Sequence, residues 1–119
     1  MTREDERTFA ARILKRDELP WSELTHDLVG ADHGVGVCIL FVEAPPGRGP
    51  NLHRHTYEEI FITLEGSATF VVGGDEIQVN AGEIAIVPAG TPHAFTNTGD
   101  GTLRQIDIHV SPVFDTEWL

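Results

Sequence analysis

His53, His55 and Glu59 lie within seven residues of one another, and His93 follows farther along at the start of another β-rich run. In extended backbone the side-chain period is two, so His53 and His55 project to one face. Glu59 has the same parity and joins them if the chain stays extended or turns tightly near Thr56-Tyr57. Glu58 has the opposite parity and is expected to face solvent. The run Pro88-Ala89-Gly90-Thr91-Pro92 makes a rigid turn that delivers His93. Imidazole nitrogens and a carboxylate suit one divalent transition ion: Fe, Mn, Ni, Zn, Cu or Co. Three neutral imidazoles and one carboxylate leave a net charge of about +1 on such a site, and a six-coordinate ion would keep about two positions open, unlike a closed structural zinc site. Two plainer readings stand beside this one: four unrelated surface or core residues, or a metal site that has lost its chemistry. A buried carboxylate without a cation is costly, which weighs against the first.

The last apolar run offers more polar groups. Leu103, Gln105, Asp107 and His109 share one face of 103–110, and Ile106, Ile108 and Val110 share the other. Either the isoleucines fill the core and the polar face is wet, or Gln105, Asp107 and His109 point into a metal-bearing cavity and the isoleucines pack under a further layer or a partner subunit. Metal ligands need hydrogen-bond partners of their own, which the second arrangement supplies. Phe61 and Phe95 share parity with Glu59 and His93 and are expected as core or pocket wall.

Short β-rich runs separated by Gly, Pro, Asn and Asp must position these groups, which is the pattern of an all-β sandwich or barrel. The composition predicts strands near Thr8–Leu14, Val35–Glu43, Glu59–Glu65, Ser67–Val72, Glu76–Val79, Ile84–Val87, His93–Asn97 and Leu103–Val110. Gly73-Gly74 is a two-residue hairpin signal. Pro20–Leu24 reads as a short helical turn or an irregular crossing. Eight short strands suggest a closed double sheet, and 1–119 is read as one domain without repeats or linker.

The chain has 119 residues, a formal charge of −11 and a hydrophobic content of 40%. Such acidity repels phosphate backbones and anionic lipid surfaces, so neither nucleic acid nor membrane is an expected partner. No apolar run approaches a membrane span and no secretory h-region follows the polar start, which points to the cytoplasm. Cys38 is the sole cysteine and sits in an apolar run, so it is read as a buried small hydrophobe. His26 and His33 lie in polar sequence and are read as surface histidines. Trp118-Leu119 at the end should be docked rather than left in water, on its own barrel or on a dimer mate.

The order Gly47, His53-x-His55, Glu59, Gly66 resembles the first motif of the cupins, and Gly82, Pro88-x-Gly90, His93, Asn97 resembles the second. The motifs occupy 47–66 and 82–97, with every fixed position present; the flanks match only in general β character. The resemblance implies a double-stranded β-helix (jelly-roll) barrel of the small single-domain bacterial type, often homodimeric, with metal at His53, His55, Glu59 and His93. It does not imply one reaction, because the fold hosts many.

Two functions follow. One is a metal-dependent enzyme on a small organic substrate, of dioxygenase or isomerase/cyclase type. In it the ion acts as a Lewis acid toward dioxygen or an enol, enolate or carbonyl oxygen, and Glu59 or Asp107 moves a proton. The alternative is a non-enzymatic barrel that binds or senses a small molecule. A homodimer is expected in either case, with the first strand or the C-terminal tail at its interface. None of the four proposed ligands lies past His93, so removal of Asp115–Leu119 is expected to spare the metal site.

Overall fold

Alternating burial along short strands builds two facing antiparallel sheets, seen in a computed structural model that describes residues 10–119. The eleven strands are β1 (Trp21–Ser22), β2 (Thr25–Leu28), β3 (Cys38–Ala44), β4 (His53–His55), β5 (Glu59–Glu65), β6 (Ser67–Val72), β7 (Asp75–Asn80), β8 (Ile84–Val87), β9 (His93–Asn97), β10 (Leu103–His109) and β11 (Thr116–Trp118). One sheet runs β1-β2-β3-β10-β5-β8 and the other β11-β4-β9-β6-β7. No helix among the described residues is long and apolar enough to cross a membrane.

Strand β10 shows how the interior is organised. Leu103, Gln105, Asp107 and His109 are all buried, while Arg104, Ile106 and Ile108 between them are half-buried on the outside. Leu103 joins Val42, Ala44, Phe61, Ala68, Phe70, Val79, Val87 and Phe95 in the apolar core. Phe61 meets Phe70 edge-on at 5.0 Å between ring centroids, and Phe70 stacks on Phe95 at 5.2 Å. Such aromatic contacts add about 0.5–1.5 kcal/mol each beyond area burial. Toward the other end of the same strands the inward positions turn polar, and the histidines gather there. Asn97 ties the loops beneath, its side-chain amide donating to the carbonyls of Ala44 and Gly101 at 2.8 Å each. Cys38 is fully buried.

The outside of the larger sheet is apolar. Register places Phe41, Ile106, Ile62 and Ile84 in one row across β3, β10, β5 and β8, and Ile39, Ile108, Ile60 and Ile86 in the next. Ile84 and Ile86 are 63% and 67% exposed. Strand β10 inverts the usual alternation of a half-solvated sheet, with Gln105, Asp107 and His109 inward and Ile106 and Ile108 outward, which is why composition left two readings of 103–110 open.

Most expected strands appear, and Gly73-Gly74 turns β6 into β7 with both φ positive (57° and 90°). The departures have local causes. Of the strand expected at Thr8–Leu14, Thr8 and Phe9 lie outside the described residues, and Ala10–Leu14 is unpaired, with Ile13 89% exposed. Val35–Val37 belongs to the loop before β3, and Val110 lies just past β10. Pro20–Leu24 is neither a helical turn nor a plain crossing: Trp21–Ser22 pairs with Thr25–His26 as a tight hairpin whose turn holds Glu23 at φ 51°. Strands β2 and β11 are polar and edge-like, so no hydrophobic alternation announces them. His26 and His33 are half-buried rather than fully on the surface; His26 Nδ1 lies 3.0 Å from the carbonyl of Leu19.

Candidate metal centre

Four strands from the two sheets deliver the polar cluster. Strand β4 carries His53 and His55 inward, with Arg54 between them turned out to Glu117. His53 is the register partner of His93 at the start of β9. Glu59 opens β5 on the opposite sheet, beside His109 at the end of β10. All five side chains are buried, whereas Glu58 is exposed. The ligand atoms of His53, His55, Glu59 and His93 all lie within 4.8 Å of one another, an arrangement that could hold one metal ion.

Each of the three histidines is oriented from behind. His53 Nδ1 lies 2.6 Å from the Asn51 carbonyl, His55 Nδ1 3.0 Å from the Asp115 carbonyl, and His93 Nδ1 2.8 Å from the Thr91 carbonyl. A carbonyl only accepts, so each Nδ1 must carry the proton. Each neutral ring then has a bare lone pair on Nε2, the tautomer that a cation requires. The Nε2 atoms of His55 and His93 come within 3.1 and 3.2 Å of one Glu59 oxygen, and the Nε2 of His109 within 3.0 Å of the other. His93 Nε2 meets Glu59 Oε1 with hydrogen-bond geometry, whereas the buried Nε2 atoms of His55 and His109 find no hydrogen-bond partner. Buried polar atoms are rarely left so, and a divalent ion would answer the lone pair of His55. The donor set therefore fits a transition ion.

The local electrostatics agree. Burial raises the Glu59 carboxyl, but contacts with His109, His55 and His93 overcome this and hold it below the ordinary carboxylate range. Burial lowers His53, reinforced by the neighbouring rings of His93 and His55. Burial also lowers His93, but Glu59 and the Thr91 carbonyl outweigh it and leave the ring raised. Asp107 is the opposite of Glu59. Full burial and then the charge on Glu59 push it well above the carboxylate range, against one hydrogen bond donated by Gln105 Nε2 at 2.7 Å.

Gln105, Asp107 and His109 all point inward; Asp107 and His109 line a cavity of about 500 Å³ together with Phe61 and Phe95, whereas Gln105 sits behind Asp107 and reaches Thr63 at 3.5 Å. Sequence reading missed Tyr57, although it shares the parity of His53, His55 and Glu59. It stacks on His55 at 4.9 Å, and its hydroxyl lies 2.7 Å from His109 Nδ1. Burial raises its phenol to about 12, so it keeps its proton and donates to that nitrogen.

The C-terminal segment also belongs to the centre. Strand β11 pairs with β4, the Asp115 carbonyl orients His55, Phe114 meets His109 edge-on at 5.2 Å, and Trp118 lies against His53 at 5.0 Å. The tail is docked through its backbone, yet Trp118 and Leu119 remain 65% and 54% exposed. The expectation that its removal spares the site rested on ligands alone and ignored the acceptor behind His55.

The family profile of the cupin domain matches residues 40–109. Quercetin 2,3-dioxygenase of Bacillus subtilis is 33% identical over 87 residues, covering 71% of this chain and 24% of that protein. The chain spans between 20% and 58% of the length of the curated relatives it matches. Among solved structures, a Klebsiella pneumoniae protein with a double-stranded β-helix domain superposes with a TM-score of 0.73 at 20% identity, covering 91% of this chain and 96% of that one. Bacillus subtilis oxalate decarboxylase, in a structure concerned with its Mn(II) centres, gives 0.74 at 22% identity, covering 87% and 30%. Both structural likenesses are of fold.

Two outcomes test the centre. Glu59→Ala should abolish stable metal retention while Glu58→Ala keeps wild-type content, read by elemental analysis after gel filtration; the reverse order would mean that the register of this segment is off by one. Deletion of Asp115–Leu119 should weaken metal affinity about 10–100-fold, the usual cost of losing a group that orients a ligand. Competition with a chromophoric chelator measures it, and an unchanged affinity would show that the tail does not matter to His55.

Proposed function

The chain belongs to the cupin domain family, and from that premise we propose that it is a metal-dependent enzyme acting on a small organic substrate in the cavity beside Glu59. Dioxygenase chemistry is the first choice and isomerase or cyclase chemistry the second. The whole chain works as one cupin domain, in the cytoplasm. His53, His55, Glu59 and His93 would hold one divalent transition ion, which supplies Lewis-acid or one-electron chemistry with coordination positions left for a substrate. The dioxygenase choice is supported by the name of the Bacillus subtilis relative.

One observation carries the enzymatic reading over simple binding: two buried carboxyl groups share the interior in different surroundings, Glu59 among three imidazoles and Asp107 with one hydrogen bond from Gln105. Glu59 sits among the Nε2 atoms of His55, His93 and His109, placed to serve as a ligand beside them. Asp107 is kept as the acid by burial and by Glu59, and it lines the cavity. Environments that push two carboxyls apart are how a site divides the roles of charge and acid. Gln105, donating to Asp107 Oδ1, fixes the group so that its proton is held at the other oxygen, Oδ2. The walls formed by Phe61, Phe95 and Val42 exclude water from one side of the substrate.

Metal-loaded protein should therefore turn over members of a panel of enols and enolisable carbonyl compounds, followed by oxygen uptake and product analysis. Asp107→Asn should lower kcat about 100-fold or more, the scale of a lost general acid, with metal content unchanged. Because Asp107 must be protonated, turnover should fall as pH rises through its elevated pKa and persist on the acid side of it. A panel without turnover, in a protein that binds its members, would favour the non-enzymatic reading.

A homodimer completes the proposal. The two aliphatic rows outside β3, β10, β5 and β8 form a flat sheet face that a second copy could cover across a two-fold axis, as sheets stack about 10 Å apart. Light scattering should then give twice 13.1 kDa. Ile86→Lys, at a position exposed in the single chain, should shift the mass toward the monomer without unfolding it. A monomeric wild type would remove the proposal.

A further inference from the structure

Arg48 lines the same cavity as the histidine cluster and is exposed. The other described arginines are all engaged. Arg12 donates to the His33 carbonyl at 2.7 Å, Arg16 meets Asp17 at 3.0 Å, Arg54 meets Glu117 at 2.9 Å, and Arg104 meets Glu43 at 2.5 Å and Glu65 at 3.0 Å. Among the described residues, the Arg48 guanidinium has no such partner. In a chain of net charge −11, Arg48 stands beside the cavity without such a partner.

The backbone that presents it is fixed. Gly47 N–H donates to the Asn97 carbonyl at 2.8 Å, and Asn97 N–H donates to the Arg48 carbonyl at 2.9 Å. Gly47 sits at φ 84°, a conformation that a side chain would oppose. At Gly49 a Cβ would collide with the Phe95 carbonyl oxygen, so only glycine lets this segment lie so close to β9. The Gly-Arg-Gly-Pro run is thus clamped to the strand whose other end carries His93.

The titratable groups that line the cavity with Arg48 come from several elements: Glu23 from the β1–β2 turn, Asp27 from β2, His53 and His55 from β4, Glu59 from β5, and Asp107 and His109 from β10. Asp27 and Asp107 are both shifted toward the neutral acid, burial being the main cause in each. Glu59 is matched by imidazoles. A divalent ion on the three histidines and Glu59 would carry a net charge of about +1, and Arg48 adds another positive charge. Among the described residues, Arg48 is the one arginine or lysine in the lining of the cavity, so an anion entering it would meet its cationic side chain there.

We propose that Arg48 anchors the anionic group of the substrate, which makes the substrate class small organic carboxylates with an apolar body lying between Arg48 and the histidine cluster. A guanidinium binds a carboxylate through two parallel N–H donors, which fixes orientation as well as charge. Leu40, Val42, Phe61 and Phe95 supply the wall for the apolar body. The volume of about 500 Å³ lies in the range of sites for small molecules.

This proposal rests on the cavity being the substrate site proposed above. The test uses matched probes, phenylpyruvate against its methyl ester and salicylate against salicylamide, titrated by calorimetry into the full chain, metal-loaded and metal-free. At least one acid should bind about tenfold more tightly than its neutral partner. Arg48→Gln should erase that preference and Arg48→Lys restore part of it, with metal content the same in all three proteins. Absence of binding by either acid, equal binding of acid and neutral partner, or a preference that survives Arg48→Gln would overturn the assignment. An acid preference in metal-free protein that vanishes with Arg48→Gln would uphold it even if the protein retained no metal, so the two readings fail separately.

Discussion

A carboxylate at the centre of the barrel is the constraint around which the rest is arranged. Glu59 is 3% exposed, and an ionised carboxylate in such a place costs several kcal/mol unless it is paired. Imidazoles answer it from both sheets: His55 and His93 from one, His109 from the other. The Nδ1 atoms of His55 and His93 face backbone carbonyls, so the neutral forms of these two rings aim Nε2 lone pairs at the anion. A cation between them removes the conflict. The rigid backbone behind each ring, from Asn51, Thr91 and Asp115, then reads as preorganisation for that cation.

The same strands build two interiors at once. On β5 and β10 the inward positions pass from Thr63, Phe61, Leu103 and Gln105 to Glu59, Asp107 and His109, so the dry half of the barrel supports the polar half without a separate element. Low dielectric under the cluster is what separates the two carboxyls. Burial and the charge on Glu59 both push Asp107 toward the neutral acid, while Glu59 is held below the ordinary carboxylate range. The outer isoleucines follow from the period of two: with one face of β10 given to polar groups, the apolar positions of the strand are outside, and they need cover there.

How far this could be read from the sequence depended on the range of each interaction. The parity of 53, 55 and 59, and the turn before His93, are local facts, and the structure brings those four residues together with Glu58 turned away. Strands β5, β6, β8 and β9 begin and end where composition placed them. What escaped depends on distant partners. Strand β11 is three residues long and pairs along the edge of β4, and β2 is a short polar strand held between β3 and the two-residue β1. The acceptors behind the histidines are backbone carbonyls, which leave no residue type to recognise. Tyr57 is the exception: its parity was available, and only its position in a presumed turn concealed it. The two readings of 103–110 could not be separated locally, because both faces of that strand are buried or apolar.

Shared fold does not choose a reaction, since cupin barrels host many; what distinguishes this chain must lie in side chains that the motifs leave free. The motif residues account for the ion and for the loop staple at Asn97. Asp107, Gln105 and His109 fall outside both motifs, Tyr57 and Arg48 occupy variable positions inside the first, and all but Gln105 and Tyr57 line the cavity. Their chemistry is not interchangeable. Arg48 offers a guanidinium, whereas burial pushes Asp107 toward the neutral acid, so the two would contact opposite kinds of group on one molecule: an anion at Arg48, and an oxygen about to gain a proton at Asp107. A ligand satisfying both, with a hydrophobic middle against Phe61 and Phe95, is bifunctional by necessity. Reaction type is then set by which of its oxygens reaches the open side of the histidine cluster, a matter of length and shape between two fixed points rather than of the fold.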